Sequence, residues 1–76
     1  MIITILIQIK SELDRIGFYN YDVFLNAFIF SYSKDNFKMS RALIRKVKGF
    51  KQVIRAIKYN NESIYIYLTE QTKKYI

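Results

Sequence analysis

Lys38, Arg41, Arg45, Lys46, Lys48, Lys51, Arg55 and Lys58 all fall between Asn36 and Asn61, a stretch that contains no Asp or Glu. Ammonium and guanidinium groups bind phosphate oxygens, and a block of one sign sums those attractions into a field focused on a polyanion. A surplus serving solubility alone would be scattered, with both signs mixed. Outside the block the charges nearly balance: Lys10, Arg15, Lys34, Lys73 and Lys74 stand against Glu12, Asp14, Asp22, Asp35, Glu62 and Glu70. The chain's net charge of +7 therefore comes from one window, and nucleic acid is the partner it suits best.

Other chemistry finds little footing. With no His and no Cys, the usual general base, thiol nucleophile and transition-metal ligands are missing. Glu12 and Asp14 are two residues apart and point in different directions on a helix. The two glycines, Gly17 and Gly49, are too few for a phosphate-cradling loop. The expectation is a non-enzyme that needs neither cofactor nor metal.

The chain's 76 residues suit one domain (1–76) with a thin core, marginal for a monomer and without disulfide or zinc staples. Hydrophobic residues nevertheless make up 51% of it, including 7 Tyr and 6 Phe, so it should fold, and dimerisation would help. No apolar run approaches the roughly 18 residues that span a bilayer. Met1 to Ile9 also lacks the basic start and small-residue cleavage site of a secretory signal. A soluble intracellular protein with no membrane association is expected, in the cytoplasm or, if viral, in that of the host.

Several elements must position the basic block. Ile2, Ile5, Leu6, Ile9, Leu13 and Ile16 follow a helical stripe that ends at Gly17, a natural helix-terminating residue. Ile3, Ile5, Ile7 and Ile9 also alternate like a strand, so strand followed by helix is the alternative. On the helical reading Ile3 and Ile7 form a second apolar strip suited to a second subunit. A second helix is expected after Asn20, capped by it and carrying Val23, Phe24, Ala27, Phe28 and Phe30 to about Tyr32, although its aromatic and β-branched residues would also suit a strand. Ser33 to Asn36 reads as a turn, with Asn36 capping a third helix from Phe37 to about Lys48. Phe37, Leu43, Ile44 and Val47 lie on one face of that helix, and Lys38, Arg41, Ala42 and Arg45 lie on the other.

After Gly49 the hydrophobic period changes to two. Val53, Arg55 and Ile57 alternate with Ile54, Ala56 and Lys58, and Ile64, Ile66 and Leu68 alternate with Ser63, Tyr65 and Tyr67, around a Tyr59–Glu62 turn. The expected pairing sets Ile57 opposite Ile64 and Val53 opposite Leu68. Thr69 then caps a short final helix.

This order of elements resembles the winged helix-turn-helix. Ser63-Ile64-Tyr65-Ile66-Tyr67-Leu68-Thr69-Glu70 is similar to the end of the wing in winged-helix repressors. Ser40 to Phe50 is similar to their recognition helix and the glycine that ends it. The bias toward Ile, Lys, Asn and Tyr suggests an AT-rich genome, and small proteins of this kind resemble those of archaeal viruses and plasmids. The resemblance implies a mainly α fold with a small β-hairpin (α+β): first helix and dimerisation at 1–17, helix-turn-helix at 20–48, wing at 51–68 and a short helix at 69–76.

A helix fits the major groove, where Arg41 and Arg45, one turn apart, can offer guanidinium forks to guanine or phosphate. Ala42 permits close approach. Lys38, Ser40 and Lys48 suit the phosphate backbone, Arg55 and Lys58 would be wing contacts, and Lys46 and Lys51 complete the expected DNA-binding set. Plainer roles compete: a basic face can simply be solvated, hairpin parity sets Arg55 beside Val53 and Ile57 where it would snorkel from the core, and Tyr65 and Tyr67 suit cross-strand packing. The expected function is sequence-specific binding of double-stranded DNA by a homodimeric transcriptional regulator. The rivals are a protein-interaction module that inhibits a host nucleic-acid enzyme, and a single-strand binder that stacks bases on Tyr and Phe.

Overall fold

The stripe from Ile2 to Ile16 winds into a helix, α1 (Ile2–Ile16), in the computed structural model, which describes Met1 to Ile76. Ile5, Leu6, Ile9 and Leu13 are buried, and the strand alternative for this segment is not realised. Gly17 ends the helix at φ 145°, its N–H donating to the Leu13 carbonyl at 3.0 Å. That conformation strains any residue with a Cβ.

The expected second helix is instead a β-hairpin, β1 (Tyr19–Asp22) and β2 (Ala27–Ser31). Tyr19 and Tyr21 alternate inward and meet the Phe28 ring edge-on at 5.7 and 5.6 Å. A helix would have turned Phe24 into the core, whereas Phe24 sits 98% exposed at the hairpin tip. Asp22 starts the turn by accepting a hydrogen bond from the Leu25 N–H at 2.9 Å. Asn26 closes it with φ 53°, a left-handed conformation that Asn tolerates. Asn20, expected to cap a helix, lies within β1. The helix-turn-helix expected over 20–48 therefore lacks its first helix. Aromatic content and a cross-strand partner outweighed the helical spacing.

A 3₁₀ turn (Lys34–Asn36) leads into the second and last α-helix, α2 (Phe37–Val47). Asn36 precedes α2 without capping it through its side chain, which instead accepts from the Ser33 N–H at 2.8 Å and donates to the Ser31 carbonyl at 2.7 Å. Leu43 and Val47 are buried, and Phe37 lies half out at the margin against Tyr32.

The strands β3 (Ile54–Asn60) and β4 (Ser63–Leu68) form the expected hairpin in a different register. Ile57 pairs with Ile66, Tyr59 with Ile64, and Ile54 with Leu68. The loop shortens to Asn61-Glu62 because Asn61 adopts φ 56°, the kind of residue a two-residue turn requires. A bulge between Ile54 and Ala56 absorbs Arg55 as an extra residue. The final segment is a 3₁₀ helix (Glu70–Tyr75). Thr69 leaves it uncapped, its hydroxyl donating to the Gln52 carbonyl at 2.6 Å.

The result is a mixed α+β domain in which a four-stranded antiparallel sheet, ordered β1-β2-β4-β3, carries both helices on one face. Ile5, Leu6, Ile9 and Leu13 of α1 and Leu43 and Val47 of α2 join Phe28, Phe30, Ile64, Ile66 and Leu68 of the sheet in a single core. Burying each large side chain contributes about 1.5–3 kcal/mol. Neither helix is long and apolar enough to cross a membrane.

Candidate nucleic-acid interface

The basic block of the sequence becomes a band that starts on α2, passes the β3 edge and ends on the face of the sheet that no helix covers. On α2 the spacing 38, 41, 42, 45, 48 follows the helical period. Lys38, Arg41, Ala42, Arg45 and Lys48 accordingly share one exposed stripe, opposite the buried Leu43 and Val47. Phe37, Lys38, Arg41, Ala42 and Arg45 line one shallow depression, and Arg41, Ile44, Arg45, Lys48 and Tyr59 line its neighbour. Lys48 also borders a third groove, with Lys51, Arg55 and the start of β3. Shared residues make the three depressions continuous.

Local packing holds the band in place. The Arg41 guanidinium lies 5.5 Å from the centre of the Phe37 ring, which limits its swing without occupying all its donors. Tyr59 leaves the β3 edge to meet Tyr32 edge-on at 5.8 Å and forms the wall below Arg41, Arg45 and Lys48. Past α2, the Gly49-Phe50 turn is tied by the Phe50 N–H to the Val47 carbonyl at 2.9 Å, and Lys51 follows it into solvent.

The bulge decides where Arg55 goes. Simple alternation sets it beside Val53 and Ile57 on the core side. The extra residue resets the parity, so Ile54 and Ile57 face inward and Arg55 stands over Tyr67 at 5.0 Å on the open side. Lys58 approaches the same ring at 5.9 Å. The snorkelling role weighed for Arg55 is therefore not adopted.

Two of the expected contact residues are placed elsewhere. Ser40 is fully buried, with an Oγ that finds no hydrogen-bond partner, because it falls on the same side of α2 as Leu43 and Val47. Lys46 is drawn away from the stripe by Glu12 of α1, its Nζ 2.9 Å from Oε2. Glu12 also accepts from Arg15 at 3.1 Å. The Lys46 hydrogen bond holds the Glu12 carboxyl below its ordinary value, partly opposed by desolvation and reinforced by the charges of Lys46 and Arg15. The sequence carries no sign of this tie, since Glu12 and Lys46 meet only when α1 packs on α2. The remaining ion pair joins Lys73 to Glu70 at 3.2 Å, so Lys38, Arg41, Arg45, Lys48, Lys51, Arg55 and Lys58 are free of carboxylate partners.

Compared with protein-family models, curated proteins and solved structures, the chain matches none. Its surface chemistry must carry the functional reading. Cations in a row bind the phosphates of a backbone, and a small residue between two arginines admits the edges of bases. Ile3 and Ile7 lie away from the band on α1, 47% and 61% exposed, and form an apolar strip that no part of the chain covers.

Proposed function

We propose that this chain binds double-stranded DNA through the exposed stripe of α2, with the adjoining turn and the β3 edge on the phosphate backbone, and acts as a homodimeric transcriptional regulator. The observation that carries this reading is the row Lys38, Arg41, Arg45 and Lys48, free of ion pairs and interrupted only by Ala42. Of the winged-helix pattern, the basic helix and the hairpin after it keep their order. The reading role is assigned to α2, and the wing role to β3–β4. Arg41 and Arg45 address base edges, while Lys38, Lys48 and Lys51 hold phosphates. Two copies joined along the Ile3–Ile7 strip would present two such helices to successive half-sites, and regulation would follow from occupancy.

Titration of a labelled duplex over a range of salt tests the proposal. About five phosphate contacts per protomer give a log–log slope near −4.5, and a slope near zero removes phosphate-driven binding. Alanine at Arg41 or Arg45 should cost about 1–3 kcal/mol on a preferred site and flatten discrimination against scrambled sequence. Lys58→Ala should weaken both duplexes alike. A uniform loss for all three variants would remove α2 as the reading element and favour a non-specific nucleic-acid binder or an inhibitor of a nucleic-acid enzyme.

A further inference from the structure

The face of the sheet opposite the helices is built unlike an ordinary solvated surface. Lys58 pairs with Tyr65, Tyr65 with Ile29, and Ile29 with Asn20, so these side chains form one row across all four strands. Ala56, Tyr67, Ala27 and Asp22 form the next. The Tyr65 and Tyr67 rings lie nearly parallel, 21° apart with centroids 6.0 Å from each other, in the middle of the sheet. Arg55 and Lys58 flank them from the β3 side. Asp22 is the acidic member of these rows, on the far edge strand and engaged with the Leu25 N–H. The face thus offers parallel aromatic rings beside unpaired cations, continuous through Arg55 with the groove of Lys48 and Lys51.

We propose that this open sheet face is a second binding surface, for single-stranded nucleic acid, with bases stacked on Tyr65 and Tyr67 and the strand's phosphates held by Arg55 and Lys58. Charge complementarity selects a polyanion, and the paired rings select one whose bases are unstacked and free to lie on them. A duplex keeps its base faces buried in the stack and cannot use the rings. The surface shares Lys58 with the wing assigned to duplex DNA but not its rings or the α2 stripe, so variants at Tyr65 and Tyr67 test it apart from duplex binding.

The probes are labelled oligo(dT) and oligo(U), with a duplex as control, titrated into the full chain. Tyr65→Leu or Tyr67→Leu keeps an apolar cover on the sheet and removes the ring, whereas Tyr65→Phe or Tyr67→Phe keeps the ring. Each Leu variant should bind oligo(dT) about 5- to 150-fold more weakly, each Phe variant within about twofold of the parent, and all should bind duplex unchanged. Binding of both oligo(dT) and oligo(U) is expected of a stacking platform, which accepts either sugar and either pyrimidine. Titration of the isotope-labelled parent by nuclear magnetic resonance provides a test that needs no variant: the ring signals of Tyr65 and Tyr67 should shift upfield. The proposal is overturned if oligo(dT) fails to bind the parent, if the Leu variants bind it as the parent does, or if the ring signals stay in place.

Discussion

Ser40 and Lys46 show how a residue of the right type can be claimed by the interior or by a neighbour. Ser40 has the small polar side chain of a phosphate contact, yet its Oγ is buried without a partner. A buried hydroxyl left unbonded costs about 1–3 kcal/mol, and Ala is also the better helix former. Ser40→Ala should therefore stabilise the fold by about 0.5–2 kcal/mol in urea denaturation and leave DNA affinity unchanged. Lys46 instead fastens α2 to α1 through Glu12, whose carboxyl is held below its ordinary value chiefly by the Lys46 hydrogen bond. A lowered carboxyl stabilises the fold above its unfolded pKa, and that contribution is lost as pH falls through the folded value. The parent should thus lose more stability than Glu12→Gln between about pH 5 and pH 3, read as the shift in urea midpoint.

Among the elements, the β1–β2 hairpin departs furthest from expectation, and Asn26 is what locks it to the rest of the sheet. Its backbone takes φ 53°, and its side-chain amide donates to the carbonyls of Leu68 at 3.3 Å and Thr69 at 3.0 Å. Its Oδ1 accepts from the Tyr21 hydroxyl. Asn26→Ala removes these bonds and places a less tolerant residue in the left-handed region, so about 2–4 kcal/mol should be lost. Asn26→Gly should recover part of that loss by relieving the backbone alone. The hairpin was legible in the alternation Tyr19-Asn20-Tyr21-Asp22 and in Phe28-Ile29-Phe30, but Val23, Phe24, Ala27 and Phe28 fit a helical stripe equally well. Periodicity over so short a span does not choose between them.

At the scale of the whole molecule, the apolar strip of α1 is the surface assigned to a second copy. Ile3 and Ile7 stand outside the core, and replacing both with Glu removes the proposed contact without touching Ile5, Leu6 or Ile9. Sedimentation of the double variant should give a monomer where the parent gives a dimer, with the helical circular-dichroism signal retained. Loss of folding would mean that these side chains support the core.

Local patterns in the chain were enough for α2, for α1 as the favoured choice over a strand, and for the existence of the last hairpin, but not for its register: an amphipathic basic helix, an apolar stripe ended by glycine, and alternation around an Asn-rich turn that a bulge at Arg55 interrupts. The sequence also determined which residues carry the charge. Tertiary structure decided the partners. The central strand β4 pairs with β2 as well as β3, which converts the segment after α1 into strands and leaves one sheet face bare. Packing of α1 on α2 brings Glu12 to Lys46 across 34 positions of sequence. The bulge at Arg55 turns that side chain from the core side to the open face. Local patterns reflect preferences of neighbouring residues, whereas pairing register and ion pairs depend on which distant surfaces meet, and no window of sequence contains both members.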